Sequence, residues 1–213
     1  MSTYHLTLPI SEEDVRTLEV GDTVFLSGVM TTGRDAAHKY MIETFIEPSS
    51  PVPESEQPIY EALKNVLHEG VIYHCGPVVR QRSDGGWAFV AAGPTTSIRE
   101  EVYEPQVIEH FGLRGVIGKG GMGPDTLRAC QEHGAVYFHA VGGAASLIAD
   151  AVKDVVAVHK KEAFGVPEAF WVIRVVDFPV VVTMDTHGRS IHDEVEAASK
   201  AALRRLTVGE QTI

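Results

Sequence analysis

The sequence is poor in cysteine, in positive charge and in long apolar runs. It has two cysteines in 213 residues, Cys75 and Cys130, too few for a disulfide framework or for the thiolates that hold an iron–sulfur cluster. No stretch approaches the roughly 20 apolar residues of a membrane span, and residues 1–10 lack the pattern of a secretory leader. We therefore expect a cytoplasmic protein with two reduced core thiols and no membrane contact.

The scarcity of basic residues argues against binding to nucleic acid. Lysine and arginine total 18 against 29 aspartates and glutamates, which gives a formal net charge of -11. Nucleic acids and anionic membranes both select proteins with a basic face. An anionic ligand of this protein would have to be held by a local group of cations.

Motifs of two common site classes are also missing. No segment has the Gly-Lys-Ser/Thr ending of a Walker loop, so phosphoryl transfer is not indicated. Histidines such as His74, His133 and His139 lie in apolar segments without paired ligand spacing. We therefore expect no metal site within the chain.

The order of predicted elements indicates a mixed sheet with helices on its faces. The predicted strands are His5–Pro9, Val24–Val29, Val71–Cys75, Trp87–Ala92, Leu113–Ile117, Ala135–Val141, Phe170–Val176 and Val180–Met184. The predicted helices are Glu12–Leu18, Arg34–Phe45, Ile59–His68, Asp125–His133, Ala144–Val152 and Ile191–Leu206. This alternation is typical of an α/β or α+β domain with a central mixed sheet, and we expect residues 1–213 to form a single domain.

The first polar segment, residues 32–39 (TGRDAAHK), enters a predicted helix. Asp35 and His38 are three residues apart and can share one helix face, where a carboxylate beside an imidazole suits an acid–base role. Arg34 could bind a carboxylate with its two-pronged guanidinium group. The alternative interpretation is a solvated, charged helix start without any function.

The second segment, residues 93–99 (GPTTSIR), has three hydroxyls between a strand and a helix. Free N–H groups at a helix start favour an anion. Arg99 follows Thr95 by four residues, about one helical turn, so both could reach the same ligand. The alternative is helix capping, with Thr96 or Ser97 as the cap and Glu100 or Glu101 reaching back. Both interpretations can hold together.

The third segment, residues 118–123 (GKGGMG), follows a predicted strand. Its glycines would let the backbone approach a ligand closely, and Lys119 would supply a positive charge. The alternative is a structural turn.

The fourth segment, residues 185–188 (DTHG), is interpreted first as a turn. A catalytic role for Asp185 or His187 is the alternative.

Cationic side chains thus follow several predicted strands, which is where α/β folds bind ligands. Arg34, Arg99 and Lys119 lie beside hydroxyls and one Asp–His pair. This combination predicts a pocket for a small molecule with two negative groups, and it favours proton-transfer chemistry.

Five segments, in order along the chain, resemble the beta subunits of iron–sulfur (class I) fumarases and L(+)-tartrate dehydratases. They are residues 32–39, 75–79, 93–99, 118–123 and 185–188. The resemblance implies a swivelling β/β/α fold and a hydro-lyase that acts on a small dicarboxylate. It also implies an alpha subunit that carries a [4Fe–4S] cluster on its own cysteines, in a hetero-oligomer of two alpha and two beta chains.

The resemblance also implies roles for individual residues. Arg34, Arg99 and Lys119 would bind the substrate carboxylates. Thr95 would bind substrate and move the proton beside a carboxylate, and His38, held by Asp35, would act in acid–base catalysis. No metal ligand is expected from this chain.

The shared motifs leave the substrate open. We expect fumarate hydratase activity, with L(+)-tartrate dehydratase as the alternative and a non-catalytic dicarboxylate-binding module as a third interpretation. Two parts depart from the family pattern: the proline-rich segment 47–58 is longer than expected, and the residues after Gly188 match no pattern.

Overall fold

Strands and helices alternate along the chain in a computed structural model that describes residues 1–47 and 51–208, with side chains through residue 207. Part of the proline-rich segment 47–58 therefore lies outside the described residues. The strands are β1 Thr3–Thr7, β2 Thr23–Thr32, β3 Val71–Tyr73, β4 Val78–Gln81, β5 Trp87–Ala91, β6 Gly115–Gly118, β7 Val136–His139, β8 Val152–His159 and β9 Phe170–Met184. The α-helices are α1 Glu12–Arg16, α2 Asp35–Met41, α3 Gln57–Leu67, α4 Glu104–Phe111, α5 Pro124–His133, α6 Ala145–Ala149, α7 Lys161–Phe164 and α8 Ile191–Val208.

Two short helical turns complete these elements. A π-helical turn, Ile42–Ile46, continues α2, and a 3-10 turn, Ser97–Glu100, precedes α4. Within the described ranges, no helix combines the length and the apolar composition needed to cross a bilayer.

Seven strands form one mixed sheet that closes on itself. Their order is β1-β2-β3-β6-β7-β9-β8, and β9 also pairs with β2. Strands β2, β3, β6 and β7 run parallel, whereas β9 is antiparallel to β2, β7 and β8. Strands β4 and β5 form a separate hairpin. The predicted α/β class, with a central mixed sheet and flanking helices, is confirmed.

Both faces of the sheet are buried. Val71 and Tyr73 pack in one apolar cluster, and Ile72 between them packs in the other. Alternate strand residues point to opposite faces, so the two clusters lie on the two sides of β3. Helices α2, α3, α4 and α5 contribute to the second cluster. This double burial explains why the strand sequences are continuously apolar.

Strand β9 differs from the two strands that the sequence predicts. Phe178 and Pro179 were expected to separate them, but β9 runs unbroken from Phe170 to Met184. The irregularity is absorbed locally, because Asp177 adopts a φ of 50° and the pairing with β2 shifts register between Leu26 and Gly28.

The elements that were not predicted include β8 and α4. Helix α6 ends at Ala149, and the residues after it form β8 along the edge of β9. Helix α4 begins at Glu104 with a proline in its first turn, a favourable helix start. The omission of α4 matters for the site described below, because this helix contributes a central residue to it.

Candidate functional site

The parallel strands end at one edge of the sheet, and the predicted site segments begin there. Arg34 follows β2, His74 follows β3 and Lys119 follows β6. Thr32 at the end of β2 pairs with Tyr73 at the end of β3. Ligands of α/β proteins bind outside the carboxyl ends of such strands. The tertiary structure therefore gathers at one edge residues that are far apart in the sequence.

Backbone hydrogen bonds hold Thr95 beside Lys119. The Thr95 N–H donates to the His74 carbonyl (2.7 Å), and the Lys119 N–H donates to the Thr95 carbonyl (3.2 Å). The Ser97 N–H donates to the Lys119 carbonyl (3.1 Å). Thr95 and Lys119 are half-buried, whereas Arg99 is exposed on the 3-10 turn.

Arg34 reaches the same edge from the start of α2. Its Nη2 lies 3.3 Å from a Glu168 carboxylate oxygen. The guanidinium group passes over Gly76, where any side chain would collide with Nη1. The neighbouring Cys75 pairs with Pro94, which brings the Arg34 region next to the segment that carries Thr95.

His38 has a different carboxylate partner from the predicted one. Its Nδ1 lies 2.8 Å from the Arg34 carbonyl oxygen, and its Nε2 lies 3.0 Å from Glu104 Oε2. The expected Asp35–His38 pair was wrong, because His38 lies on the fully buried side of α2 whereas Asp35 is half-exposed. The imidazole contacts α4 and has no exposed surface.

His38 belongs to a buried polar network that the sequence does not reveal. It comprises His38, Glu104, His74, Ser97 and Tyr137. Glu104 Oε2 lies 2.9 Å from His74 Nε2, and His74 Nδ1 lies 2.8 Å from Ser97 Oγ. Ser97 Oγ also accepts a hydrogen bond from the Tyr137 hydroxyl (2.8 Å). All five side chains are fully buried.

Sequence reasoning missed this network because its members carry different local signals. His74 was interpreted as part of an apolar strand and Ser97 as a helix cap. Glu104 starts a helix that was not predicted. No spacing along the chain connects them, since the contacts arise only when α2, the end of β3, the 3-10 turn, α4 and β7 pack together.

Charges in the network stabilise each other. Burial alone would lower the pKa of His38, but the adjacent Glu104 carboxylate outweighs burial and raises it. Burial alone would raise the pKa of Glu104, and the two imidazoles instead lower it. The His38–Glu104 contact lacks the alignment of a hydrogen bond, so it is best described as a buried ion pair.

Replacing Glu104 with glutamine is expected to reduce stability most in mildly acidic solution. The lowered pKa of Glu104 gives stability that is complete above its ordinary value of 4.5 and lost at lower pH. The raised pKa of His38 gives stability that is complete below 6.5 and lost as pH rises through its folded-state value. The free energies of unfolding of the wild type and the variant, measured in urea, should therefore differ most between pH 4.5 and pH 6.5, by about 3 kcal/mol. A difference independent of pH would contradict the ion pair.

Glu101 caps α5 rather than the 3-10 turn. Its carboxylate accepts N–H groups from Gly123 (2.7 Å), Asp125 (3.0 Å) and Thr126 (3.2 Å). Of the two glutamates considered for capping the 3-10 turn, Glu101 has other partners, because the turn places it against the start of α5. The N–H groups at this helix start are therefore occupied by the protein's own anion.

The same contacts bear on the glycine segment. Residues 118–123 fit the Gly-x-Gly-x-x-Gly spacing of dinucleotide-binding loops, and they lie between β6 and α5 as such loops do. A pyrophosphate would bind at the helix start, where it would meet the Glu101 carboxylate. The arrangement thus disfavours a dinucleotide and leaves Lys119 available at the sheet edge.

Residues 185–188 form a turn, as first interpreted. The buried Asp185 carboxylate accepts N–H groups from Val20, His187 and Arg189, each at 3.0 Å. Gly188 follows with a φ of 82°, which favours glycine. Asp185 therefore anchors the turn, and the turn prediction is confirmed.

The thiols of this chain do not fit an iron–sulfur cluster. Cys75 and Cys130 are free and buried, as expected for core thiols. Burial raises the pKa of Cys75 to about 12 and also raises that of Cys130, whereas cluster ligands are thiolates.

One group of metal-binding residue types does occur in the described ranges, although none was expected from the sequence. Possible ligand atoms of His38, His74 and Glu104 lie within 4.8 Å of one another. His74 Nε2 and His38 Nε2 lie 2.9 and 3.0 Å from the same Glu104 oxygen. These are distances at which polar groups contact each other directly.

Comparisons with known proteins find one matching family and relatives with related names. The chain matches the family model described as Fumarase C-terminus over residues 2–195. It is 48% identical over 194 residues to a Geobacillus stearothermophilus protein provisionally named class I fumarate hydratase, covering 91% of this chain and 34% of the relative. It is 40% identical to the L(+)-tartrate dehydratase subunit beta of Escherichia coli K12, covering 87% of this chain and 85% of the relative.

An archaeal relative extends this pattern. A Methanocaldococcus jannaschii protein provisionally named L(+)-tartrate dehydratase subunit beta is 38% identical, over 87% of this chain and 89% of the relative. The chain spans about a third of the Geobacillus relative (34%) and most of the two beta subunits. The resemblance drawn from the five segments is confirmed. Because the family model covers nearly the whole sequence, this chain belongs to the Fumarase C-terminus family.

Proposed function

We propose that the chain is the beta subunit of an iron–sulfur hydro-lyase that hydrates fumarate to malate. One observation carries the proposal: Arg34 and Lys119 follow β2 and β6, the two parallel neighbours of β3, and Thr95 is hydrogen-bonded to His74 after β3 and to Lys119. Cations spaced around a hydroxyl suit a substrate with two carboxylates. L(+)-tartrate is the alternative substrate, favoured by the names of the beta-subunit relatives.

The proposed roles follow from exposure and contacts. Arg34 and Lys119 bind the two carboxylates, and Arg99 reaches substrate from the exposed turn. Thr95, held beside Lys119, transfers the proton at the carbon next to a carboxylate. A hydroxyl is a weak base, so the neighbouring positive charge would stabilise its deprotonated form.

His38 and Asp35, the other two predicted catalytic residues, are not assigned a contact with the substrate in this proposal. His38 is fully buried and touches the site through the Arg34 carbonyl. Asp35 lies half-exposed beside Arg34 at the start of α2.

The cluster is proposed to come from an alpha subunit, in an assembly of two alpha and two beta chains. Two neutral, buried thiols cannot supply the three or four thiolates that such a cluster uses. When bound, the cluster would supply a Lewis-acid iron for the substrate hydroxyl and carboxylate. This chain would bind, orient and enclose the dicarboxylate.

Reconstitution tests the proposal. The purified chain is expected to be inactive alone, and to hydrate fumarate when combined anaerobically with a cluster-bearing alpha subunit. Assays with fumarate, malate and L(+)-tartrate separate the two activities. A non-catalytic module would instead bind malate tightly without a partner. Absence of turnover on all three acids in a complex with an intact cluster would overturn the proposed function.

Arg99→Ala is expected to lower kcat/KM of the reconstituted complex at least tenfold, on the order of 1.4 kcal/mol or more. The reason is the loss of one cation that faces the substrate carboxylate. Arg128→Ala is the matched control, because Arg128 is exposed on α5 and, within the described ranges, its ion pair is the local one with Asp125 (3.0 Å). Equal kcat/KM in both variants would remove Arg99 from the site.

A further inference from the structure

One buried carboxylate connects two of the site segments. Glu104 Oε2 contacts His38 Nε2 (3.0 Å) and His74 Nε2 (2.9 Å). His38 in turn contacts the carbonyl oxygen of Arg34 (2.8 Å). A carboxylate on α4 thus links the segment after β2 to the segment after β3.

His74 extends this link to the remaining segments. Its carbonyl oxygen accepts the Thr95 N–H (2.7 Å), and its Nδ1 lies 2.8 Å from Ser97 Oγ. Two backbone hydrogen bonds then join Thr95 and Ser97 to Lys119. The backbones of Arg34, Thr95 and Lys119 are therefore all connected through Glu104.

Burial shows how these side chains can act. His38, His74, Ser97 and Glu104 each have no exposed surface, so none can touch a substrate at the sheet edge. Long, flexible side chains bind well only when their backbones are fixed, since geometric errors of about 1 Å weaken such sites severely.

We propose that Glu104, through His38 and His74, positions the backbones of Arg34, Thr95 and Lys119 for dicarboxylate binding. Glu104 and the two histidines are thus positioning residues, and they hold a preorganised substrate site. This inference rests on the proposed function, because it names how that same site is held.

The test uses Glu104→Gln in the complex with the alpha subunit. The variant keeps the shape of the side chain and removes the charge that attracts both imidazoles. KM for the dicarboxylate is expected to rise at least tenfold while kcat changes less than threefold. A merely structural defect would lower the fraction of active complex, which reduces apparent kcat and leaves KM unchanged.

Glu100→Gln is the matched control. Glu100 is buried in the adjacent 3-10 turn, and its charge acts on His38 and His74, but the hydrogen bonds and ion pairs of the two imidazoles are made with Glu104, Ser97 and the Arg34 carbonyl. Burial raises the pKa of Glu100, and Glu100→Gln removes any negative charge there without removing a direct partner of either imidazole. KM in this variant is expected to stay within twofold of the wild-type value.

A second measurement does not depend on turnover. Hydrogen–deuterium exchange of the peptide covering residues 93–101 should be faster in Glu104→Gln than in Glu100→Gln. Ser97→Ala, which removes only the hydroxyl that contacts His74, should raise KM at least threefold and serves if Glu104→Gln does not fold.

The outcomes separate the two proposals. A wild-type complex that turns over no dicarboxylate would overturn the proposed function, and the positioning role with it. An active wild type with unchanged KM in Glu104→Gln, or in Ser97→Ala where that variant replaces it, would overturn the positioning role alone. A stoichiometric metal ion in the purified chain would also overturn it, because the imidazole nitrogens would then be ligands.

Discussion

Replacing Lys119 with alanine is expected to lower kcat/KM of the reconstituted complex roughly 100-fold, about 2.7 kcal/mol of transition-state stabilisation. Lys119 is half-buried, and its backbone is fixed on both sides by hydrogen bonds with Thr95 and Ser97. An interaction between a lysine and a carboxylate is stronger at a half-buried position than on the open surface. Steady-state kinetics with the preferred dicarboxylate measures the loss.

Lys39→Ala controls for the loss of one lysine from the chain. Lys39 is exposed on α2 and, among the residues that the structure describes, pairs with Glu43 (3.7 Å), so kcat/KM should stay within twofold of wild type. Wild-type kinetics in Lys119→Ala would remove the central cation from the proposed site and leave the dicarboxylate assignment without its main support.

Gly118→Ala is expected to lower the free energy of unfolding by about 3 kcal/mol, the upper end for overpacking a core. A side chain at this position would overlap Ser97 Oγ and lie 2.8 Å from the Tyr137 hydroxyl. Both neighbours are buried. The cost is therefore steric, because the added methyl group has no space between the end of β6 and the 3-10 turn. Urea unfolding of the purified chain measures it.

Two comparisons make this prediction specific. Gly142→Ala should change stability by less than about 0.5 kcal/mol, since its Cβ would meet only Lys119 Cδ at 3.5 Å. In the double variant with Ser97→Ala, part of the Gly118→Ala loss should disappear, because the overlapping hydroxyl is gone. Strictly additive losses of unfolding free energy would show that Ser97 does not cause the steric clash.

The predicted fold and the observed fold agree where the pattern is local. The strands after which Arg34 and Lys119 lie were predicted from apolar runs, and α5 was predicted to its last residue, His133. Prediction failed at Val152–His159, which forms a strand paired with the edge of β9 although its first residue was assigned to the preceding helix. It also failed at Phe178 and Pro179, which local chemistry marks as a break and the surrounding sheet keeps in one strand.

The site residues likewise divide into those that a local pattern predicts and those that only tertiary contacts reveal. Arg34, Thr95, Arg99 and Lys119 could be selected from the sequence because each lies in a polar segment that follows a predicted strand. The partner of His38 could not be selected, since Asp35 is near in sequence whereas Glu104 is near in space. Short-range spacing indicates which residues can share a helix face, but it does not indicate what lies opposite that face.

The sequence by itself determined the class of this protein, its family and the cations available for a dicarboxylate. These follow from periodicity, from turn chemistry and from ordered motifs, all of which act over a few residues. Only the tertiary structure decided that the sheet closes through β2 and β9, and that one carboxylate links His38 to His74. Such contacts join residues many positions apart, and their energy depends on burial and distance, which no local pattern encodes.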